Sequence, residues 1–292
     1  MIEQIASKAE MRSAVAQACR EGHTVGLVPT MGALHAGHLS LVAAARERTD
    51  LVIVSIFVNP TQFGPGEDFD RYPRRIDSDV EMLAAEGADI VFTPSTETMY
   101  ADGALVTVDP GPLAAHWEGE VRPDHFTGVA TIVAKLLSIA RPDLAFFGEK
   151  DFQQLAVIKR MVHDLDLGTG IVGCQTVRDH DGLALSSRNA FLSAEERRQA
   201  LALPVALEAV AQALAWGEHH GEALATVMRD AAEAHAPGAV RLDYAAVVDP
   251  LTLEPLDLVE ESARASIAGR VGSTRLIDNC ALAVPSTDGV AQ

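Results

Sequence analysis

The sequence predicts a doubly wound α/β fold, with a Rossmann-like parallel sheet, followed by a smaller C-terminal α+β domain. Apolar runs alternate with helical patterns, which is typical of βαβ units. Runs such as "LVIVSIFV" at residues 51–58 are apolar apart from Ser55, as expected for parallel strands covered on both faces. Because 292 residues exceed the common single-domain length, we predict domains at 1–176 and 177–292.

The alternation begins near the N-terminus. A capping box at residues 7–10 opens a helix with apolar spacing at Met11, Val15 and Cys19, and Gly22 ends it. The strand "TVGLV" follows, and a helix from about Gly37 to Arg46 comes next. Further strands are predicted at 51–58, 89–92, 144–148 and 170–177, with helices around 77–86 and 128–140.

The pattern changes after residue 177. A second capping box at Ser193 opens a long helical stretch to about residue 216, in which Pro204 predicts a kink. Short strands follow at 242–249, 263–269 and 274–279. This mixture predicts the smaller α+β domain.

Composition excludes several classes of protein. A formal net charge of −18 argues against nucleic-acid binding, which depends on many Lys and Arg contacts to phosphate. The longest apolar runs are too short for a membrane span. The three cysteines share no short spacing and the N-terminus resembles no export signal. We therefore expect a cytoplasmic protein that binds neither nucleic acid nor membrane.

The stretch "PTMGALHAGHLSL" at residues 29–41 carries the strongest chemical signal. It begins where a strand ends, which is where open parallel sheets bind ligands. Gly32 and Gly37 allow close approach of the backbone, and the following helix directs N–H groups outward. His35 and His38 lie one turn apart and suit a phosphate. The alternatives are an accidental string or a metal pair, but zinc would need a third protein ligand with no obvious candidate in the sequence.

This string resembles the His-x-Gly-His motif that holds ATP phosphates in the nucleotidylyl transferase superfamily, and its full length is similar to the pantothenate synthetase family. Four more segments resemble that family in the same order, and together they extend from residue 26 to about 190; the C-terminal domain matches more loosely. The segments are "FVNPTQFGPGEDFDRYPR" (57–74), "RPDHFTGVATIVAKLL" (122–137), "FFGEKDFQQL" (146–155) and "DGLALSSRN" (181–189).

Two of these segments offer cations and hydroxyls for a triphosphate. Lys150 follows an apolar strand, and Ser186, Ser187 and Arg188 precede a helix, so they could bind phosphate. An ordinary surface lysine and a simple capping loop are the alternatives. The resemblance implies an ATP site that includes these four residues and both histidines, together with Met31, Gly32, Ala33, Leu34, Ala36, Gly37, Gly148, Glu149, Asp151, Val177 and Leu185.

The other segments offer groups for an acid substrate. Asn59 and Gln62 follow a buried strand and are neutral donors and acceptors, although "NP" also favours a simple turn. The resemblance implies that Gln62 and Gln154 contact pantoate, and that Arg122 and His125 flank the acid substrates.

Two acidic features carry less definite expectations. Asp124 stands where the family usually has glycine, which leaves the local shape of that loop open. Asp77 and Asp79 are weak candidates for Mg²⁺ ligands, but they also suit the first turn of a helix.

The resemblance implies a ligase that condenses (R)-pantoate with β-alanine in pantothenate biosynthesis, on the route to coenzyme A. It further implies that ATP and Mg²⁺ are required, that a pantoyl adenylate is the intermediate, and that AMP and pyrophosphate are released. It also implies a homodimer. His38 and His35 would bind phosphate, while Lys150 and Arg188 would neutralise the departing pyrophosphate. Two alternatives remain: an adenylyltransferase for a phosphorylated acceptor, and a non-catalytic nucleotide sensor.

Overall fold

The computed structural model describes residues 2–101 and 104–284. Contacts within this part of the chain form two compact units that divide between Val177 and Arg178. Among the helices within the described ranges, none combines the length and apolar character of a membrane span.

The first unit alternates strands and helices. Its strands are β1 Glu3–Ile5, β2 Val25–Thr30, β3 Leu51–Ile56, β4 Ile90–Phe92, β5 Leu144–Gly148 and β6 Gly170–Cys174. Its helices are α1 Lys8–Arg20, α2 Ala36–Arg46, α3 Ile76–Ala85, α4 Thr96–Met99, α5 Glu118–Val121, α6 His125–Ala140 and α7 Phe152–Asp164. Short 3₁₀ turns lie at Pro60–Gln62, Gly111–Ala114 and Glu149–Asp151.

The six strands form one parallel sheet in the order β1-β4-β3-β2-β5-β6. From β2 the chain adds β3 and β4 on one side and then β5 and β6 on the other. The strand order therefore reverses between β2 and β5, and this switch point is where doubly wound sheets bind ligands. The predicted doubly wound α/β fold is confirmed.

Both faces of the sheet are covered by helices. Leu27 of β2 packs in a core cluster with Val129 and other residues of α6. The next residue, Val28, packs in a second cluster with Leu41 and Val42 of α2. Successive side chains of a strand point to opposite faces, so two apolar layers require the continuously apolar strands that the sequence contains.

The second unit is an α+β domain, as predicted. Its antiparallel sheet has the order β7-β8-β9, and residues of α9, α10, β8 and β9 share one core, with Leu203, Leu224, Ile267 and Leu276 among them. The elements are α8 Ala194–Ala200, α9 Ala202–Ala215, α10 Gly221–His235, β7 Val240–Val248, β8 Ser262–Val271 and β9 Thr274–Ala283, with a 3₁₀ turn at Ser187–Phe191.

Two local predictions need correction. Cys19 is exposed, and Ala18 takes its place on the buried face of α1, because a period of 3.6 residues brings position 18 below Met11 and Val15. The helical stretch in the second unit breaks at Leu201 and not at Pro204. Pro204 is tolerated because it lies in the first turn of α9, where its missing N–H is not needed.

The loop before α6 keeps the conformation that suits glycine. Asp124 precedes the helix with left-handed backbone angles, φ 65° and ψ −5°. An L-residue pays a steric penalty in this region that glycine avoids. The family's glycine and this aspartate are therefore compatible with the same backbone.

We predict that Asp124→Gly raises the free energy of unfolding by about 0.5–1 kcal/mol, since relief of the left-handed strain exceeds the loss of a negative charge at the start of α6. Urea titration followed by circular dichroism measures the difference. Asp124→Ala, which keeps the Cβ, is the control and should not stabilise the protein. A glycine variant less stable than the wild type would contradict this account.

Candidate active site

Three predicted motifs meet at one edge of the parallel sheet. The histidine motif follows β2, the Asn59–Gln62 turn follows β3, and the turn with Lys150 follows β5. Since β3, β2 and β5 are neighbours in the sheet, their carboxyl ends lie side by side. The sheet therefore brings together side chains that are far apart in the sequence.

The turn after β2 is held by a buried carboxylate. Gly32 and Ala33 both have left-handed angles, with φ 81° and 52°. Asp79 of α3, 1% exposed, accepts the N–H groups of Ala33 and Leu34 at 2.9 and 2.9 Å. A Cβ at position 32 would lie 3.0 Å from the Asp79 Oδ2 atom, so glycine is needed for both its backbone angle and its size.

This contact corrects the expectation for the acidic pair. Both oxygens of Asp79 serve the backbone, while Asp77 is exposed in the same helical turn. Within residues 2–101 and 104–284, no group of three or more His, Cys, Asp or Glu side chains could hold a metal. Asp79 is thus a structural residue. Asp79 lies four residues before buried Leu83, which places an acid on the apolar face of the helix. This spacing was the sequence signal for a structural role.

The two histidines stand next to each other at the start of α2. His35 is the N-cap with extended backbone, and its ring centroid lies 4.1 Å from that of His38. The His35 N–H donates to Nδ1 of His38 at 3.4 Å. Because Nδ1 is the acceptor, neutral His38 carries its proton on Nε2. His38 therefore offers an Nε2–H donor to a ligand.

Both imidazoles are neutral at pH 7. Burial, and then the charge of Lys150, lower the pKa of His35 to about 4. Burial, and then the nearby His35, lower the pKa of His38 to about 3. Among the described residues, Nδ1 of His35 is buried without a hydrogen-bond partner. The pair is thus a set of neutral groups that can hydrogen bond to an oxyanion.

Lys150 adds a positive charge beside these imidazoles. It lies in the 3₁₀ turn after β5, and its Nζ atom is 3.8 Å from the Asp151 carboxylate. Its side chain is only 20% exposed. Its effect on the pKa of His35 shows that the ammonium is close to the histidine motif. An ammonium beside neutral donors favours an anion.

Asn59 makes its hydrogen bonds within the protein. The side chain is 1% exposed. Its Nδ2 atom donates to Gln62 Oε1 at 3.0 Å and to the Gly128 carbonyl at 3.2 Å. Its Oδ1 atom accepts from Tyr100 Oη at 2.7 Å and Thr61 Oγ1 at 3.0 Å. With a longer bond from the Thr61 N–H at 3.4 Å, both amide protons and the oxygen of Asn59 are bonded within the protein. The structure thus gives Asn59 a supporting role, and its contact with substrate stays a prediction.

Gln62 lies against the histidine motif. Its Nε2 atom is 3.3 Å from Met31 Sδ, and the side chain is buried. Helix α6 comes close to this turn at Gly128, where a Cβ would lie 2.3 Å from the carbonyl oxygen of Thr61. The Gln62 amide is therefore fixed beside the candidate phosphate site.

Arg122 and His125 belong to a polar cluster around Gln62. Nη1 of Arg122 donates to His125 Nε2 at 3.1 Å, and Nδ1–H of His125 donates to the Gln62 carbonyl at 2.8 Å. Burial, and then the charge of Arg122, lower the pKa of His125 to about 4. Both ring nitrogens of His125 are thus bonded within the protein, where they help to hold the Gln62 carbonyl. Sequence analysis missed Glu67. This residue pairs with Arg122, which lies 55 residues away in the chain, and no sequence signal indicates the pair.

The two glutamines of α7 differ in environment. Gln153 is buried and bonds to the Glu118 N–H and to the carbonyl groups of Leu113 and His116. Gln154 is half-buried at the start of the same helix. Gln153 therefore anchors the 111–118 segment, and Gln154 is the member of the pair that stays a candidate for substrate.

The Ser-Ser-Arg loop belongs to the second unit. Ser186 Oγ accepts the Arg188 N–H at 3.3 Å, and Asn189 Nδ2 donates to the Ala184 carbonyl at 2.9 Å. The preceding segment is held by Arg197, which pairs with Asp179 and Asp181 at 2.7 and 2.8 Å. These contacts within the protein fix the conformation of the loop.

Comparison with known proteins decides the family. The sequence model described as Pantoate-beta-alanine ligase matches residues 3–281. The chain belongs to the pantoate–β-alanine ligase family. This ligase is 53% identical to a pantothenate synthetase of Rhizorhabdus wittichii, over 94% of this chain and 96% of the relative. It is 56% identical to that of Rubrobacter xylanophilus, over 90% of this chain and 92% of the relative.

Solved structures agree. Pantothenate synthetase from Thermus thermophilus superposes with a TM-score of 0.90 and 46% identity, covering 96% of this ligase and 99% of that chain. A pantoate–β-alanine ligase from Francisella tularensis, complexed with beta-gamma ATP and β-alanine, has a TM-score of 0.74 and 33% identity, covering 96% and 97% of the two chains.

We predict that Asp79→Asn lowers the free energy of unfolding by about 1–3 kcal/mol, because an amide can accept only one of the two N–H groups and leaves the other unbonded in the interior. Urea denaturation measures the loss. Asp77→Asn, in the same turn but exposed, is the matched control and should change stability by less than about 0.5 kcal/mol. Equal effects of the two substitutions would refute the structural role of Asp79.

The histidines predict a loss of stability in mild acid. The pKa values of His35, His38 and His125 fall from 6.5 to about 4, 3 and 4 on folding. As the pH drops below about 6.5, the unfolded chain binds protons that the folded protein does not. The free energy of unfolding therefore decreases between about pH 6.5 and 4.

Urea titrations across this pH range should show a shallower decrease for the double variant His35→Gln/His38→Gln than for the wild type. His163→Gln removes an exposed histidine and serves as the control, with a slope like that of the wild type. Parallel curves for the double variant and the wild type would mean that the two imidazoles are not neutral in the folded protein.

Proposed function

We propose that this ligase condenses (R)-pantoate with β-alanine to pantothenate through a pantoyl adenylate. Membership of the family supports the reaction. One structural observation supports the site most directly: the His38 Nε2–H donor, the Lys150 ammonium and the Gln62 amide meet at the carboxyl edge of β2, β3 and β5. The proposal assigns the first two groups to phosphate and the third to the acid substrate.

The chemistry proceeds in two steps. A carboxylate oxygen of pantoate attacks the α-phosphorus of ATP, the bond to the β-phosphate oxygen breaks, and pyrophosphate leaves with the electron pair. The neutral amine of β-alanine then attacks the carbonyl carbon of the adenylate. The bond between this carbon and the phosphate oxygen breaks, AMP leaves, and the amine loses a proton to solvent as the amide forms.

In this proposal His38 and His35 hydrogen bond to phosphate oxygens of ATP. The low pKa of His38 means that it donates a hydrogen bond from Nε2 and does not deliver a stored proton at pH 7. Lys150 neutralises charge on the departing pyrophosphate. Ser186, Ser187 and Arg188 bind phosphate as well, and the backbone at Met31, Gly32, Gly148 and Val177 contacts the nucleotide.

Neutral amides bind the acid substrate. Gln62 and Gln154 contact pantoate, whose hydroxyls and carboxylate can pair with amide donors and acceptors. The Arg122 charge at this end is already balanced by Glu67. A phosphorylated acceptor, as in the alternative adenylyltransferase, would require uncompensated cations here. The site therefore favours pantoate.

Mg²⁺ enters this proposal as the counter-ion of ATP. The acidic pair that the sequence offered does not fit a protein-held site, because Asp79 is bonded to the backbone, and no catalytic step depends on those residues. A homodimer is proposed from the family resemblance, and a cytoplasmic location from the cysteine spacing and the N-terminal sequence.

The experiment that tests the proposal is isotope exchange. With Mg²⁺ and no β-alanine, labelled pyrophosphate should enter ATP when pantoate is present, because adenylate formation is reversible. Parallel reactions with phosphopantetheine and without an acceptor should show no exchange. Exchange that ignores pantoate would refute the assignment, exchange only with phosphopantetheine would support the adenylyltransferase, and no exchange at all would support a sensor.

His38→Ala should lower turnover by roughly 10² to 10⁴, the range for losing a positioned donor to developing charge. The circular dichroism spectrum should stay unchanged because His38 is at a helix terminus. His163→Ala, an exposed histidine in the same unit, is the matched control and should keep full turnover. A folded His38→Ala variant with near-normal turnover would remove His38 from the mechanism.

A further inference from the structure

A bidentate ion pair lies behind the acid-binding glutamine. Arg122 Nε and Nη2 donate to the two oxygens of Glu67 at 2.8 and 2.6 Å. The two side chains are only 12% and 25% exposed. Burial opposes ionisation of Glu67, but the hydrogen bond and charge of Arg122 outweigh it and hold the pKa of the carboxyl below its ordinary value. The pair is therefore charged and has the fork geometry that fixes a guanidinium plane.

The oriented guanidinium reaches the backbone of Gln62 by two routes. Arg122 Nη2 donates to the Gln62 carbonyl at 3.3 Å, and Nη1 donates to His125 Nε2 at 3.1 Å. The opposite ring nitrogen of His125 donates to the same carbonyl at 2.8 Å. The Gln62 carbonyl thus accepts one hydrogen bond from Arg122 and one from His125. The contact with Arg122 also orients the His125 ring.

The Gln62 side chain is fixed separately, by Asn59 and Met31. Backbone and amide are therefore both constrained, and Glu67 is the outermost member of the set that constrains the backbone. Removing its charge would leave the Arg122 guanidinium partly buried without a counter-charge and able to rotate. The Gln62 carbonyl would then lose both donors.

We propose that Glu67 is a positioning residue for binding of the acid substrate, acting through Arg122 and His125 on Gln62. The inference rests on the proposed role of Gln62 as a pantoate contact. Glu67 does not itself contact the substrate. We assign it to pantoate affinity and not to ATP binding, because its hydrogen bonds connect it through Arg122 to the turn after β3 and not to the histidine motif.

The test compares Glu67→Gln with wild type in the pantoate-dependent exchange of pyrophosphate into ATP. The variant keeps the shape of the side chain and removes its charge. We expect its KM for pantoate to rise about tenfold, as for a contact residue that loses its support, while its KM for ATP changes less than about twofold. Arg122→Lys, which cannot form the fork, should give the same split. Asp164→Asn breaks an exposed pair with Arg160 and should change neither constant.

Three outcomes would overturn the inference. An unchanged KM for pantoate in both variants would show that Gln62 does not depend on the pair. A parallel rise in both constants with a lower melting temperature would show a purely structural role. A lower KM for pantoate would show that Glu67 competes with the substrate for Arg122. If the wild type itself shows no pantoate-dependent exchange, the proposed function fails, which is a different result from any of these three.

Discussion

The site depends on two hydrogen bonds that one buried carboxylate accepts. Asp79 accepts the N–H groups of Ala33 and Leu34, and these bonds stabilise a turn with two successive left-handed residues. Such a turn is unfavourable for an L-residue by about 1–2 kcal/mol, and hydrogen bonds to a charged acceptor, each worth about 1.5–3 kcal/mol, are strong enough to offset that cost. The turn then determines where α2 begins and how both imidazoles are oriented at the carboxyl ends of the strands.

The same physical device recurs at the turn after β3. There, Asn59 saturates its amide with protein partners, and the Glu67–Arg122 pair fixes the backbone of Gln62 from the other side. In each turn a buried polar side chain hydrogen bonds to the backbone or to a side-chain amide. In the proposed function, the neighbouring side chain binds the ligand. The two turns meet at Met31, whose sulfur contacts Gln62, so the proposed phosphate and acid sites are adjacent in the first unit.

Periodicity and motif spacing were sufficient to predict the parallel sheet, because continuous apolar runs report burial on both faces. They also predicted that His35 and His38 follow a strand. They could not separate contact from support: Asn59 and His125 look like ligand residues in sequence, and the hydrogen bonds that hold both side chains within the protein are visible only in the structure. The Glu67–Arg122 pair was beyond prediction, since nothing in local pattern records a partner 55 residues away. Strand β1 was missed because three residues with one buried side chain carry no periodicity.

The most direct test of the account is the protonation state of His38, measured by two-bond ¹H–¹⁵N NMR on histidine-labelled protein at pH 7, with His38→Gln to assign the signal. The account predicts a neutral ring with the proton on Nε2, and a shift of that nitrogen on addition of ATP while the ring remains the same tautomer. A charged ring, a proton on Nδ1, or a signal that does not respond to ATP would contradict it.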